Sequence, residues 1–308
     1  YSGGTAQGVL LEGARTNLAK YSDDLSNAVW VATNITKGST STTGIYGSAI
    51  TTVEATASAA NGTLLQTVTA GSAAYTYSTY LKRKTGTGNI DITVNGGTGW
   101  TTCTVTLSWS PCSVTATVTN PQIGIRIVTS GDAVYAQGSM VEAGAFRSST
   151  IYTTTGSANR VATSLTRNWT FDTNTFSGYI EAYPGFASTE TSATNPVFSA
   201  YKDANNYLTI THPTTSGRMD LNLAIGGTTA TAQVTGLTWA KGDKLDIRFR
   251  KNASGIKLWV EAGSTETTTG VAPNDFSTPP NTVRLGRDES SNYGFWTVGN
   301  IQLWNSVD

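Results

Sequence analysis

Few residues of this 308-residue chain are equipped for acid–base or nucleophilic chemistry: 20 Asp and Glu, two Cys and one His. Hydrolysis of a glycosidic bond needs two carboxylates roughly 5 to 9.5 Å apart. A strand can supply them as Glu-x-Asp-x-Glu, because residues two apart project alike, but no such string occurs. Asp243 and Asp246 are three apart and do not share a strand face, and Glu261 and Glu266 are five apart beside a turn. His212, the sole imidazole, precedes Pro213 and reads as a turn residue at a strand end. No Gly-x-Ser-x-Gly turn accompanies it for a Ser-His-Asp arrangement. Ile210 stands where a Gln-x-His lyase strand would carry its Gln, and glycine-rich phosphate loops are absent. The expectation is a chain that is not an enzyme. Carboxylates brought together from separate strands or neighbouring subunits are the route left open to a polysaccharide hydrolase or lyase.

Binding asks for less than catalysis. Sugars are held by flat aromatic faces flanked by amides, carboxylates and hydroxyls. Tyr80, Lys82, Asp91, Asn95, Trp100, Tyr135 and Gln137 are the candidates on outward rows of the first half. They form one patch if their strands are neighbours. The commoner role for Trp100 and Tyr135 is to cover a sheet against a loop or a partner subunit. In the second half Trp259 alternates outward with Lys257 and Glu261, near Arg248 and Arg250. It is either a ligand or interface anchor or a ring lying under a long loop. Trp296 and Trp304, in the closing strand, read as core.

The elements positioning these residues are strands. Charged residues make up 13% of the chain and the formal net charge is zero. This gives no electrostatic reason to expect nucleic acid or an anionic membrane. Thr is abundant and, being β-branched and polar, suits the solvent side of strands. No apolar run is long enough to span a membrane and no charged-then-apolar leader opens the chain. It begins at Tyr1 without Met, so a fragment or processed form is expected.

Period-two alternation recurs between clusters of Gly, Asn, Ser and Thr, the pattern of an all-β sandwich. Tyr75, Tyr77, Thr79 and Leu81 share one face, as do Ile90, Ile92 and Val94, and Cys103, Val105 and Leu107. Later, Met219, Leu221, Leu223 and Ile225 alternate with polar residues, and so do Leu245, Ile247 and Phe249. The expected class is all-β, two antiparallel β-sandwiches in tandem. The boundaries are an opening segment at 1–16, a module at 17–150, a Ser- and Thr-rich linker at 151–168 and a second module at 169–308. No helix or repeat is evident.

Two segments carry a family resemblance: LLEGARTNL (Leu10 to Leu18), leading to Tyr21, Ser22 and Asn27-Ala28-Val29-Trp30, and YAQGSMVEAGAF (Tyr135 to Phe146), leading to TTTGSA (Thr153 to Ala158). Their succession over about residues 9–160 resembles a jelly-roll, carbohydrate-binding-like module common in tail-fibre, tail-spike and other structural proteins of tailed bacteriophages. From about residue 170 the strands resemble a laminin-G or concanavalin-A-like sandwich, with Leu285-Gly286 near the close. The resemblance implies a non-catalytic virion appendage on the particle surface, assembled in the host cytoplasm and exposed outside, binding a host-surface glycan. Inert decoration contacting other virion proteins is the alternative, and a polysaccharide depolymerase a second one. A homotrimer is a further implication, and neither nucleic acid nor membrane insertion is expected.

Glu12, Arg15 and Glu142 lie within the matched motifs, where Arg15 is expected to tie the opening strand to the closing one through bidentate bonds to a carboxylate. No cofactor is expected. Related jelly rolls often carry a structural calcium, but the close here reads Ala136-Gln137-Gly138, without its acids. A hairpin over Ser108–Pro111 would let Cys103 and Cys112 form a disulfide. Free thiols are the alternative, and assembly in a reducing cytoplasm tips the balance to them.

Overall fold

The computed structural model describes residues 8–45, 49–163, 165–190, 193–261, 268–269, 279–288 and 294–306. All regular structure among them is antiparallel strand, in two units. One is Arg15–Arg160; the other joins the stretch ending at Ala14 to the chain from Val161 onward. The expected pair of antiparallel sandwiches is therefore present, but its boundaries differ. The first strand, β1 (Val9–Leu11), falls in the expected opening segment, yet it pairs in the second sandwich, Leu11 opposite Trp296. The stretch expected to be a linker contains two strands. Three- and four-residue strands carry too little alternation to be read; what holds β1 is Leu11, fully buried.

The Arg15–Arg160 unit contains β2 (Arg15–Asn17), β3 (Val31–Thr33), β4 (Ile35–Thr43), β5 (Ala49–Ala57), β6 (Gly62–Thr67) and β7 (Ala73–Thr85). It continues through β8 (Ile90–Thr93), β9 (Thr101–Cys103), β10 (Ser110–Val118), β11 (Gln122–Ile127), β12 (Ala133–Ala143) and β13 (Ala158–Arg160). Two five-stranded sheets form, in the orders β10-β7-β12-β5-β4 and β3-β6-β11-β8-β9, and β2 pairs with β13. The inner rows meet as expected: Tyr77, Leu81, Ile90, Ile92, Ile123, Ile125 and Val141 are buried with Trp30 in one core.

Val105 still packs partly buried against the core with Cys103, but Leu107 does not extend that row. The strand ends at Cys103 and Leu107 is 75% exposed, because the chain leaves one sheet here to reach β10 at the edge of the other. Cys103 and Cys112 are joined as a disulfide across that crossing, with Cα atoms 5.8 Å apart. The expectation of free thiols is overturned, since the crossing between the two edge strands sets the Cα atoms at a separation a disulfide spans, without a simple hairpin.

The other unit continues with β14 (Leu165–Asn168), β15 (Phe176–Pro184), β16 (Asn195–Asp203), β17 (Asn206–His212), β18 (Met219–Ile225) and β19 (Thr228–Val234). Then come β20 (Leu245–Asn252), β21 (Gly255–Glu261), β22 (Thr268–Thr269), β23 (Thr282–Leu285) and β24 (Trp296–Trp304). A five-stranded sheet, β1-β24-β15-β20-β21, faces a seven-stranded one, β14-β23-β16-β17-β18-β19-β22. Phe198 of β16 packs on Phe249 of β20 with ring centroids 5.4 Å apart. Alternation is strict on β15 and β20, so Ser177, Tyr179, Glu181, Asp246, Arg248 and Arg250 form outward rows over a buried inner face.

Candidate functional site

The sequence candidates of the first unit do not form one patch, since their strands belong to two different sheets. On β8 and its neighbours, Asp91 is 2% exposed and fully engaged. It accepts hydrogen bonds from Arg126 Nε and Nη2 at 2.9 and 2.6 Å and from Thr102 Oγ1 at 2.7 Å. Trp100 lies half-buried on the same guanidinium, 4.5 Å from ring centroid to Cζ. Asn95 closes the loop before Trp100, its Oδ1 accepting from Gly99 N and Thr93 Oγ1 at 2.9 Å each. These three residues brace the sheet, and Asp91 is corrected from ligand to ion-pair partner.

On the other sheet, Tyr80 is covered by the chain after β12: Arg147 stacks on its ring and donates to its hydroxyl at 3.1 Å. Gln137, 4% exposed, accepts from Ile45 N at 3.0 Å and also bonds Asp23. It is likewise a brace rather than a ligand. Burial raises the Asp23 carboxyl, partly offset by the Gly138 N–H at 2.8 Å and by Gln137. Tyr135, opposite Lys82 and Glu54, stays half-exposed beside Lys84. Among the described residues no group of three His, Cys, Asp or Glu is placed to hold a metal ion.

Arg15 and Glu142 meet as expected, but through one contact, Nε to Oε2 at 3.5 Å, while Arg15 Nη1 donates to Ala143 O. The bidentate geometry is not adopted, because Ser148 N and Oγ already donate to the Glu142 carboxylate at 2.6 and 2.8 Å. Burial pushes the Glu142 carboxyl up; the Ser148 bonds and the charges of Arg15 and Arg160 oppose this. Glu12, 4% exposed, belongs to the other unit.

The second unit holds a groove that sequence reasoning only half found. It measures about 650 Å³ on the outer face of the five-stranded sheet and is lined by Tyr179, Arg248, Arg250, Trp259, Gln302 and Trp304, among others. Register places Trp304, Ser177 and Arg250 in one cross-strand row and Gln302, Tyr179, Arg248 and Trp259 in the next. The two tryptophans stand three strand spacings and one row apart, roughly 16 Å. Arg250 stacks on Trp259 with Cζ 5.2 Å from the ring centroid, and Arg248 lies 6.0 Å from the Tyr179 centroid. The sequence expectation of Trp259 beside both arginines is thus realised in space.

Trp304, expected in the core, is 42% exposed and lines the groove, whereas Trp296 is fully buried. The cause is a bulge: the register between β15 and β24 shifts at Glu181/Ala182, leaving Gly299 without a partner. The face of every later residue is thereby inverted. Only knowledge of that bulge would have turned Trp304 outward from sequence. Gly178, also in the lining, is required as glycine, because a Cβ there would lie 2.3 Å from the Phe249 ring.

Acidic residues sit at one end of the groove's outer rows. Tyr179 donates its hydroxyl to Asp246, which raises the phenol to about 12 and keeps it protonated. Burial acts to raise the Asp246 carboxyl, but the bonds from Tyr179 and Lys244 and the charges of Lys244 and Arg248 together hold it below the usual range. Lys244 bridges Asp246 and Glu181 at 3.1 and 3.5 Å. Glu181 and Asp246 oppose each other on β15 and β20, a carboxylate pair that sequence spacing did not suggest. Asp243 caps a turn by accepting from Ala240 N. Glu266 and the Glu261 side chain lie outside the described residues.

His212 is fully buried, stacked on Phe186 and edge-on to Trp239, with Nδ1 2.7 Å from Arg218 O. Burial lowers its pKa, outweighing the Arg218 bond and the Asp220 charge. It does not line the groove.

No protein-family profile matches the chain and no curated protein matches it. Among solved structures, the botulinum neurotoxin serotype D binding domain is 10% identical over 46% of this chain and 37% of that one, with a TM-score of 0.37. Domains LG4-5 of the mouse laminin alpha1 chain are 9% identical over 82% and 89%, at a TM-score of 0.34. CG-16, a homodimeric agglutinin from chicken liver, is 13% identical over 46% and 100%, at 0.32. The chain thus spans little more than a third of the botulinum chain's length. At TM-scores under 0.5 these likenesses carry no argument, and the all-β class rests on the antiparallel sheets themselves.

Proposed function

We propose that this chain is a non-catalytic adhesion module that holds an oligosaccharide in the outer groove of its second sandwich. The observation carrying the reading is the pair of tryptophans at the groove, Trp304 exposed and Trp259 half-exposed, with Tyr179 and Gln302 in the lining. Aromatic faces stack on the C–H surface of sugar rings while amide and guanidinium groups bond their hydroxyls. The separation of the two indoles exceeds one sugar ring and suits a chain of several. Support for the absence of catalysis is electrostatic. The nearest carboxylate pair, Glu181 and Asp246, is bridged by Lys244, and Asp246 is held ionised rather than protonated as a general acid.

The finer assignment, an appendage of a tailed-phage particle displayed on the virion surface and facing a host glycan, rests on the motifs at Leu10–Leu18 and Tyr135–Phe146. Binding of the purified chain to a glycan array and to bacterial surface polysaccharides, with release of reducing ends followed in parallel, tests the reading. Retention without cleavage is expected. Release of products would make the chain a depolymerase, and silence across all glycans would leave a structural component of a larger assembly.

A further inference from the structure

Resting on the glycan-binding reading above, we infer that the groove selects acidic polysaccharides, with the anionic group of one sugar seated on Arg250 between the Trp259 and Trp304 platforms. The charges of the lining carry the argument. Among the described residues lining the groove, Asp246 is the sole carboxylate against two guanidinium groups, Arg248 and Arg250. Asp246 is already occupied by Tyr179 and Lys244. Arg15, Arg83, Arg126 and Arg218 each lie within 3.5 Å of a carboxylate. Arg250 instead lies against the Trp259 face, with no ion-pair partner among the described residues.

A guanidinium stacked on an indole keeps its edge available and pre-ordered for two parallel bonds to a carboxylate or sulfate. Arg250 also shares its cross-strand row with Trp304 and Ser177, so an anion on it lies between the two rings. The acidic pair Glu181 and Asp246 stands two rows away. The protein as a whole is neutral, so the preference is local to the groove and not a general attraction to polyanions.

The test compares polygalacturonate, its carboxyl-reduced counterpart, a sulfated galactan and a single-stranded oligonucleotide by affinity electrophoresis and calorimetry. The full chain, Arg250→Gln, Arg250→Lys and Trp304→Ala are measured at low and high salt. The inference expects an acidic polysaccharide to bind roughly tenfold or more tightly than its uncharged counterpart, as one charge-assisted pair implies. It also expects that margin to vanish in Arg250→Gln and to be partly restored in Arg250→Lys. The two acidic arms tell carboxylate from sulfate. Salt dependence of the unaltered chain gives a readout that does not rely on any variant folding. Equal binding of reduced and acidic polymers would overturn the inference and leave the glycan reading standing. Equal binding of the oligonucleotide would overturn the selectivity. Binding of none of the polymers here and of no glycan on a neutral array would defeat both readings together.

Discussion

Cys103 and Cys112 join the edge strand of one sheet to the edge strand of the other, closing the Arg15–Arg160 sandwich where the chain crosses between them. Because nine positions separate them, the covalent link removes a short loop's freedom from the unfolded chain. Cys103→Ser with Cys112→Ser is expected to cost this unit roughly 2–3 kcal/mol. Denaturant midpoints with and without reductant measure it; an unchanged midpoint on reduction would show that the link contributes nothing.

Arg15 stands over a carboxylate that burial has made costly. With Arg15→Gln, Glu142 keeps its Ser148 bonds but loses its nearest cation, and a loss of about 2 kcal/mol or more is expected at neutral pH. Glu142 has a raised folded pKa, so the folded state holds its proton more tightly than the unfolded state does. The penalty therefore appears as pH rises through the folded value and disappears in acid. A variant as stable as the parent at pH 8 would refute the pairing.

His212 has the opposite sign. Its folded pKa lies below the ordinary 6.5, so its contribution is complete above that value and is lost as pH falls through it, by up to about 1.4 kcal/mol per pH unit. Hydrogen-exchange protection factors of the Asn206–His212 strand, each taken against the intrinsic rate at the same pH, are expected to fall between pH 7 and 5, and His212→Phe to flatten that dependence.

Asp91→Asn and Trp100→Ala are expected to weaken the first unit, the former by about 1–3 kcal/mol through the stranded Arg126. Both should leave glycan retention intact. Loss of retention in a folded Trp100→Ala protein would place the binding site on the first unit instead.

Much of the fold was legible because long alternating strands such as Phe176–Pro184 and Leu245–Asn252 encode their buried faces residue by residue. The Trp259 cluster was legible for the same reason, its neighbours lying on two consecutive strands. What sequence concealed depended on chain pairing at a distance. Leu11 gives no local sign that its partner is Trp296, and Trp304 faces outward only because of a bulge near Gly299. Asp91 and Gln137 give the sign of available groups because alternation reports a residue's face but not the partners, the Arg126 guanidinium or the Ile45 N–H, that arrive there from elsewhere.

The most direct measurement is the affinity of the chain for whichever polysaccharide it retains, set beside Trp259→Ala, Trp304→Ala and their combination, with near-ultraviolet circular dichroism confirming the fold. Each single substitution is predicted to weaken binding roughly 10- to 30-fold, as loss of about 1.4–2 kcal/mol of stacking implies, and the pair to abolish it. Undiminished binding by the folded double variant would contradict the assignment of this groove as the glycan site.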